Sequence, residues 1–310
     1  MQVRPGGRAR NPAQKDWRDA TPARRRRTVG FMDESRTYVI TGTSGMLAGA
    51  LRQRLEAKGH RVIGVDIDDS AEVVSDLSSA HGRNQMVRDI DALTDGRVDA
   101  VVAAAAMVGV FPDTARMVRT NYFGAIATLE GLRPMLARSP SPRAATFASV
   151  SLLHRPIPGL VAACHSGDEE AAAALAAKAD DQPAVYTTTK RALAQWLRRR
   201  AVSADWAGNG IPLNAVAPGM TRQKDFAWDP DSSFGRFMRE LEPRPLHPVS
   251  SLDHVASLVE WLTSVDNGAM TGQVLFVDGG TEALLRGDDV WPGFWPDPHP
   301  TAPMPDIKRK

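Results

Sequence analysis

The sequence has a single cysteine, Cys164, so it can build neither an intramolecular disulfide nor a thiolate metal cluster. It has no apolar run near the roughly 20 residues needed to cross a bilayer. The longest, Val101 to Val110, is rich in alanine and reads as a buried strand. No charge of one sign prevails: 38 Lys and Arg stand against 36 Asp and Glu, a balance that by itself argues neither for nor against nucleic acid. No internal repeat is present, and His154, Cys164 and His165 lack the spacing of a metal site. These absences leave the expectation of a cytoplasmic chain with no metal, no membrane and no nucleic-acid partner.

What remains is 310 residues at 43% hydrophobic content, enough for one large α/β domain. Residues 1–35 stand apart. They are rich in Arg, Pro and Gly, include Arg24-Arg25-Arg26-Arg27, show no apolar periodicity, and read as a basic disordered extension without a secretory h-region. Met32, just ahead of the first strand, is a candidate true start. The basic run is read as a solvated tail, with an address signal or nucleic-acid arm as the alternative. The closing stretch 286–310, with Trp291, Trp295 and several prolines, reads as an irregular tail lying against its own domain or a partner subunit.

Between these ends, short β-rich runs alternate with helical stretches, the pattern of βαβ units on a parallel sheet. Strands are expected at Tyr38–Thr41, Arg61–Asp66, Ala71–Val74, Val98–Ala104, Ala144–Ser149, 211–217 and 273–277. Helices are expected at Leu47–Lys58, Thr114–Ala137, near Glu169–Ala179, at 185–204 and at 253–264. The fold class is α/β: one doubly wound Rossmann-type domain over 36–285, its parallel sheet flanked by helices. It carries an insertion at 152–183 and a loop at 222–250.

The first strand runs into Thr41-Gly42-Thr43-Ser44-Gly45-Met46-Leu47-Ala48-Gly49. A glycine-rich turn opening a helix brings backbone N–H groups and the helix dipole to a pyrophosphate. Asp66 ends the second strand, where a carboxylate accepts hydrogen bonds from ribose hydroxyls and repels a 2′-phosphate, favouring NAD over NADP. Asp76 and Leu77 follow the third strand and are candidates for the adenine edge. Tyr186 and Lys190 stand i, i+4 on one helix face, where an ammonium favours the phenolate and makes tyrosine a usable acid/base. Ser149 ends a strand ahead of them, and Asn214-Ala215-Val216-Ala217-Pro218-Gly219-Met220-Thr221 follows.

On these motifs the chain resembles the short-chain dehydrogenase/reductases over roughly Arg36 to Arg286. Within them it is most similar to the bacterial 3α-hydroxysteroid dehydrogenase/carbonyl reductases. Gly59 to Asp68, Asp76-Leu77-Ser78, Asn121-Tyr122-Phe123-Gly124, the long stretch between Ser149 and Tyr186, and Val277-Asp278-Gly279-Gly280 carry the likeness.

The resemblance implies an NAD(H)-dependent oxidoreductase. Tyr186 would exchange a proton with the substrate oxygen, Ser149 would bond that oxygen, and Lys190 would hold the nicotinamide ribose. Asn121 would anchor a relay water. Gly42, Ser44, Gly45, Met46, Leu47, Asp66, Asp76, Leu77, Pro218, Gly219 and Thr221 would line the cofactor. So would Ala104, Ala105 and Ala106, which replace the family's usual Asn-Ala-Gly.

Met46 and Ala48 stand where nearest relatives carry glycine, a spacing nearer to that of the epimerase-type members. The resemblance also implies a homodimer or homotetramer, with the insertion favouring the dimer. Phe226, Trp228, Phe234, Phe237 and Met238 suit either a lid over a steroid or aromatic alcohol or the packing of a loop helix. The expected reaction interconverts a secondary alcohol and a ketone. The alternatives are an aromatic primary-alcohol dehydrogenase and a catalytically silent NAD-binding module.

Overall fold

The computed structural model describes residues 35–108, 112–221, 229, 231–246 and 249–288. The expected N-terminal extension up to residue 34, and the tail from 289 with Trp291 and Trp295, lie outside the described residues.

Seven strands form one parallel sheet: β1 (Thr37–Thr41), β2 (Arg61–Asp66), β3 (Val73–Val74), β4 (Ala100–Ala103), β5 (Arg143–Phe147), β6 (Leu213–Pro218) and β7 (Val274–Val277). Their order is β3-β2-β1-β4-β5-β6-β7, the doubly wound arrangement expected. The chain reverses direction across the sheet between β1 and β4, and that switch point opens a crevice at the carboxyl ends of the strands.

The strands are buried on both faces, and their period of two divides them between two cores. Val39 packs on one side with Ile63, Val101 and Leu129, while Tyr38 and Ile40 pack on the other with Leu51, Leu55 and Val259. Helices α1 (Met46–Ala57) and α9 (Leu252–Thr263) cover the second face. The first face is covered by α2 (Ala80–Thr94), α3 (Thr114–Val118), α4 (Ala125–Leu136) and α7 (Gln182–Arg200).

Helix α2 was not anticipated. Its buried side is Gly82, Arg83, Met86, Ile90 and Thr94; three of these five are not apolar, so a search for apolar periodicity finds little there. The Ser79 hydroxyl accepts from Gly82 N–H and starts the helix. The expected helix Thr114–Ala137 is present as α3, a π-helical stretch Arg119–Gly124 and α4 in succession.

Within the insertion the prolines are followed by two short helices, α5 (Pro158–Ser166) and α6 (Glu169–Ala177). They lie over α3 and α7. The Thr114 hydroxyl donates to Ala176 O (2.8 Å), Ile157 N–H donates to the Thr188 hydroxyl (2.9 Å), and Arg83 grips both carboxylate oxygens of Glu169 (3.0 and 2.6 Å). Two further helices follow, α8 (Ser233–Leu241) and α10 (Thr281–Arg286). Among the described residues no helix is long and apolar enough to cross a membrane, and no group of three His, Cys, Asp or Glu is placed to hold a metal.

Candidate active site

The sequence-predicted site residues lie on or just after many different elements, and with few exceptions they gather at the carboxyl edge of the sheet. At the end of β1 the chain turns at Gly42, with φ of +76°. A Cβ there would sit 2.7 Å from Ala105 Cα, so only glycine lets the turn pass this close to the loop after β4. The Thr41 hydroxyl, not anticipated as a functional group, fixes that loop by accepting from both Ala104 and Ala105 N–H (3.0 Å each). Ala104, Ala105 and Ala106 thus line the crevice beside the glycine turn.

Gly45 then caps α1 in an extended conformation with no side-chain cap and no acidic residue in the first turn. Ser44, Gly45 and Met46 are exposed and Leu47 is half-buried, so the first-turn N–H groups and the positive end of the helix dipole face outward. Ala48 is buried against the sheet, and the methyl at this position is accommodated.

Asp66 ends β2 almost fully buried, and its carboxylate is already well bonded. Ser44 N–H (2.9 Å) and Ser44 O–H (2.8 Å) donate to Oδ2, while Ile67 N–H (2.7 Å) and Asp68 N–H (3.3 Å) donate to Oδ1. The carboxylate therefore ties the glycine turn to β2, and a ribose diol would have to share its oxygens with these donors.

Asp76 is exposed after β3. Its carboxylate accepts from Ser78 N–H (2.9 Å) and from Arg116 (3.1 Å), an arrangement that shapes the turn before α2. Leu77 is buried in the core, with its backbone against Gly124.

Asn121 lies on the π-helical stretch, one residue-width wider than an α turn, a geometry that recurs at functional sites. Its amide clamps the loop after β4: Met107 N–H donates to Oδ1 (2.7 Å) and Nδ2 donates to Met107 O (2.9 Å).

Ser149 follows β5, its hydroxyl accepting from Ser151 N–H (3.2 Å), and it interacts favourably with the ionised Tyr186 phenol. On α7, Lys190 is deeply buried and donates to Phe147 O (3.0 Å), with its Nζ 5.8 Å from the Tyr186 ring centre. Pro218 ends β6 buried, Gly219 packs on Asp278, and Thr221 bridges to Ser250.

The electrostatics differ from the sequence expectation on one point. The protein's own groups do not bring the Tyr186 phenol down. Burial pushes it up to about 12; Ser149 opposes the rise and the charge of Glu242 adds to it. Burial also brings the Lys190 ammonium down to about 8.

Glu242, after α8, is itself buried, and no motif or spacing connects it to the site. Of the expected lid residues, Phe237 is exposed and Met238 is half-buried on α8. Phe226, Trp228 and the Phe234 side chain lie outside what is described.

Residues 170–282 match a family model described as enoyl-(acyl carrier protein) reductase. A 3-alpha-hydroxysteroid dehydrogenase/carbonyl reductase of Comamonas testosteroni is 33% identical over 256 residues, spanning 80% of this chain and 97% of its own length. A tropinone reductase homologue of Arabidopsis thaliana is 25% identical over 264 residues, 79% of this chain and 92% of its own. Among solved structures, the 3-alpha-hydroxysteroid dehydrogenase from Pseudomonas sp. B-0831, complexed with NADH, aligns with a TM-score of 0.74 at 32% identity. The alignment covers 81% of this chain and 99% of that one. With its sheet order, glycine turn and Ser149–Tyr186–Lys190 grouping, the chain belongs to the short-chain dehydrogenase/reductase family of oxidoreductases.

Proposed function

We propose that this chain is an NAD(H)-dependent oxidoreductase that interconverts a secondary alcohol and a ketone. Its substrate is a hydroxysteroid or another bulky cyclic or aromatic alcohol. The observation that carries the reading is the buried Lys190, its Nζ 5.8 Å from the Tyr186 ring centre and bonded to Phe147 O just ahead of Ser149, at the sheet edge that also presents the glycine turn.

The residues present fit the dinucleotide. The uncapped start of α1 offers N–H donors to a pyrophosphate, Gly42 lets the backbone approach closely, and the Asp66 carboxylate at the end of β2 disfavours a 2′-phosphate. When bound, the nicotinamide supplies or takes up the hydride. The rest is done by the chain. Ser149 holds the substrate oxygen, and Tyr186 O–H gives that oxygen a proton in reduction or takes one in oxidation. Lys190 places a cation beside the phenol, and Asn121 keeps the loop after β4 in position. The reading extends to a homodimer or homotetramer, the dimer favoured because α5 and α6 cover the faces of α3 and α7.

The test is nicotinamide absorbance on mixing purified protein with NAD and a panel of hydroxysteroids and aromatic alcohols, beside Tyr186→Phe. NADH formed by the native protein and not by the variant is the expected result. Activity confined to aromatic primary alcohols would move the substrate class. NAD binding without turnover in either direction would overturn the enzymatic reading in favour of a silent module.

A further inference from the structure

Between Tyr186 and Lys190 the chain places three threonines in succession, Thr187, Thr188 and Thr189. A branched β-carbon makes threonine a poor helix former, yet all three are buried inside α7. Two of them bond to other parts of the chain through their hydroxyls. Thr188 O–H donates to Ala184 O (2.6 Å) and accepts from Ile157 N–H (2.9 Å), which ties the insertion to the helix. Thr189 O–H donates to Tyr186 O (2.7 Å) and accepts from Asn121 Nδ2 (3.5 Å).

The bond from Asn121 joins two elements packed on each other, the π-helical stretch and α7. Asn121 is only 1% exposed and Thr189 is wholly buried, so bulk water does not compete for either group. The Asn121 amide works in two directions. Its Oδ1 and one Nδ2 hydrogen hold Met107, on the loop after β4 that begins with Ala104, Ala105 and Ala106. The other Nδ2 hydrogen goes to Thr189, and through that hydroxyl to the Tyr186 backbone. The Tyr186 turn is thus held on three sides. Lys190 reaches Phe147 O at the end of β5, Thr188 holds the insertion, and Thr189 meets Asn121.

We propose that Thr189 is a positioning residue whose hydroxyl fixes the Asn121 amide and so keeps the loop after β4 in register with the Tyr186 turn of α7. The inference rests on the reading of Tyr186 as the acid/base and of that loop as one side of the dinucleotide crevice. Hydride and proton transfer act on one carbon–oxygen bond, so the two sides must share a fixed geometry. Without the hydroxyl, Tyr186 O keeps the Lys190 N–H as its helical partner. One buried Asn121 N–H, however, loses its acceptor, and only by turning away from Met107 does the amide regain one. The glycine turn and the Asp66 carboxylate make no bond to Thr189 or Asn121, so NAD affinity is spared.

The test compares three variants. Thr189→Val removes the hydroxyl and keeps the branched shape, Thr189→Ala removes both, and Thr189→Ser keeps the hydroxyl. Each is assayed with NAD and the responding alcohol, alongside the Kd for NAD and amide hydrogen exchange at Met107.

Val and Ala are expected to lower kcat about ten- to hundredfold while the Kd for NAD stays within about threefold of native. Met107 N–H should exchange about tenfold faster in both. Ser should stay near native in all three measurements. Native kcat and native Met107 exchange in Val and Ala would overturn the proposal. So would a Ser variant as impaired as Val, or an NAD affinity that falls in step with kcat. If instead Tyr186→Phe keeps full activity, the acid/base reading fails, and Met107 exchange still decides whether Thr189 holds Asn121.

Discussion

Gly42 and Gly59 have nearly the same backbone, with φ of +76° and +80°, yet different surroundings. Replacing either by alanine forces a side chain into the left-handed region, at a cost of about 1–2 kcal/mol. At Gly59 that is the whole cost, since a Cβ would have nothing within 4 Å. At Gly42 the new carbon would lie 2.7 Å from Ala105 Cα and 2.9 Å from Ala105 N. That backbone cannot retreat without breaking the two bonds from Ala104 and Ala105 N–H to the Thr41 hydroxyl. Overpacking of this kind adds about 1–3 kcal/mol. At roughly 2–4 °C per kcal/mol for a chain of this size, Gly42→Ala should melt about 2–12 °C below Gly59→Ala. NAD binding, followed by tryptophan fluorescence, should weaken at least roughly tenfold in the first variant and stay near native in the second, as a shift of about 1.4 kcal/mol implies. Equal melting temperatures would refute the argument that the approach of the β4 loop is what demands glycine at Gly42.

Lys190→Met should abolish activity yet raise the melting temperature of the protein without cofactor at neutral pH. Folding lowers the ammonium from 10.5 to about 8, so the penalty for burying its charge is full below about 8 and gone above 10.5. Allowing for the lost bond to Phe147 O, a gain of about 1–2 kcal/mol is expected, shrinking as pH rises through that window. A gain independent of pH would contradict this. Glu169→Ala strands Arg83, whose side chain is only 10% exposed, and should cost about 2–4 kcal/mol in a urea melt. Glu170→Ala, at an 83% exposed carboxylate paired with Arg119, should cost less than about 0.5 kcal/mol; similar losses for the two would show that burial is not what separates them.

Much of the site was legible because its signals are local. Tyr186 and Lys190 are four residues apart on one helix, and the Gly42–Gly45 turn lies directly between β1 and α1. Asp66 closes a strand whose apolar run marks its own end. Helix α2 was not legible, because what buries it is Arg83 in its pair with Glu169, a residue 86 positions away. The pairing of Asp76 with Arg116, 40 positions away, was not legible either, nor was the direction of the Tyr186 shift, because the ammonium's pull was weighed without the burial.

The sequence by itself determined the alternation of strand and helix, the doubly wound class and the residue types at each strand end. Those depend on periodicity and turn chemistry within a few positions. Only the tertiary structure decided that Thr41 holds the Ala104–Ala105 backbone, that Asp66 is shared with Ser44, and that Lys190 reaches Phe147 O. Each of these needs residues far apart in the chain to meet at the carboxyl edge of the sheet. Their energetics depend on the desolvation that this meeting creates, and no pattern along the chain records it.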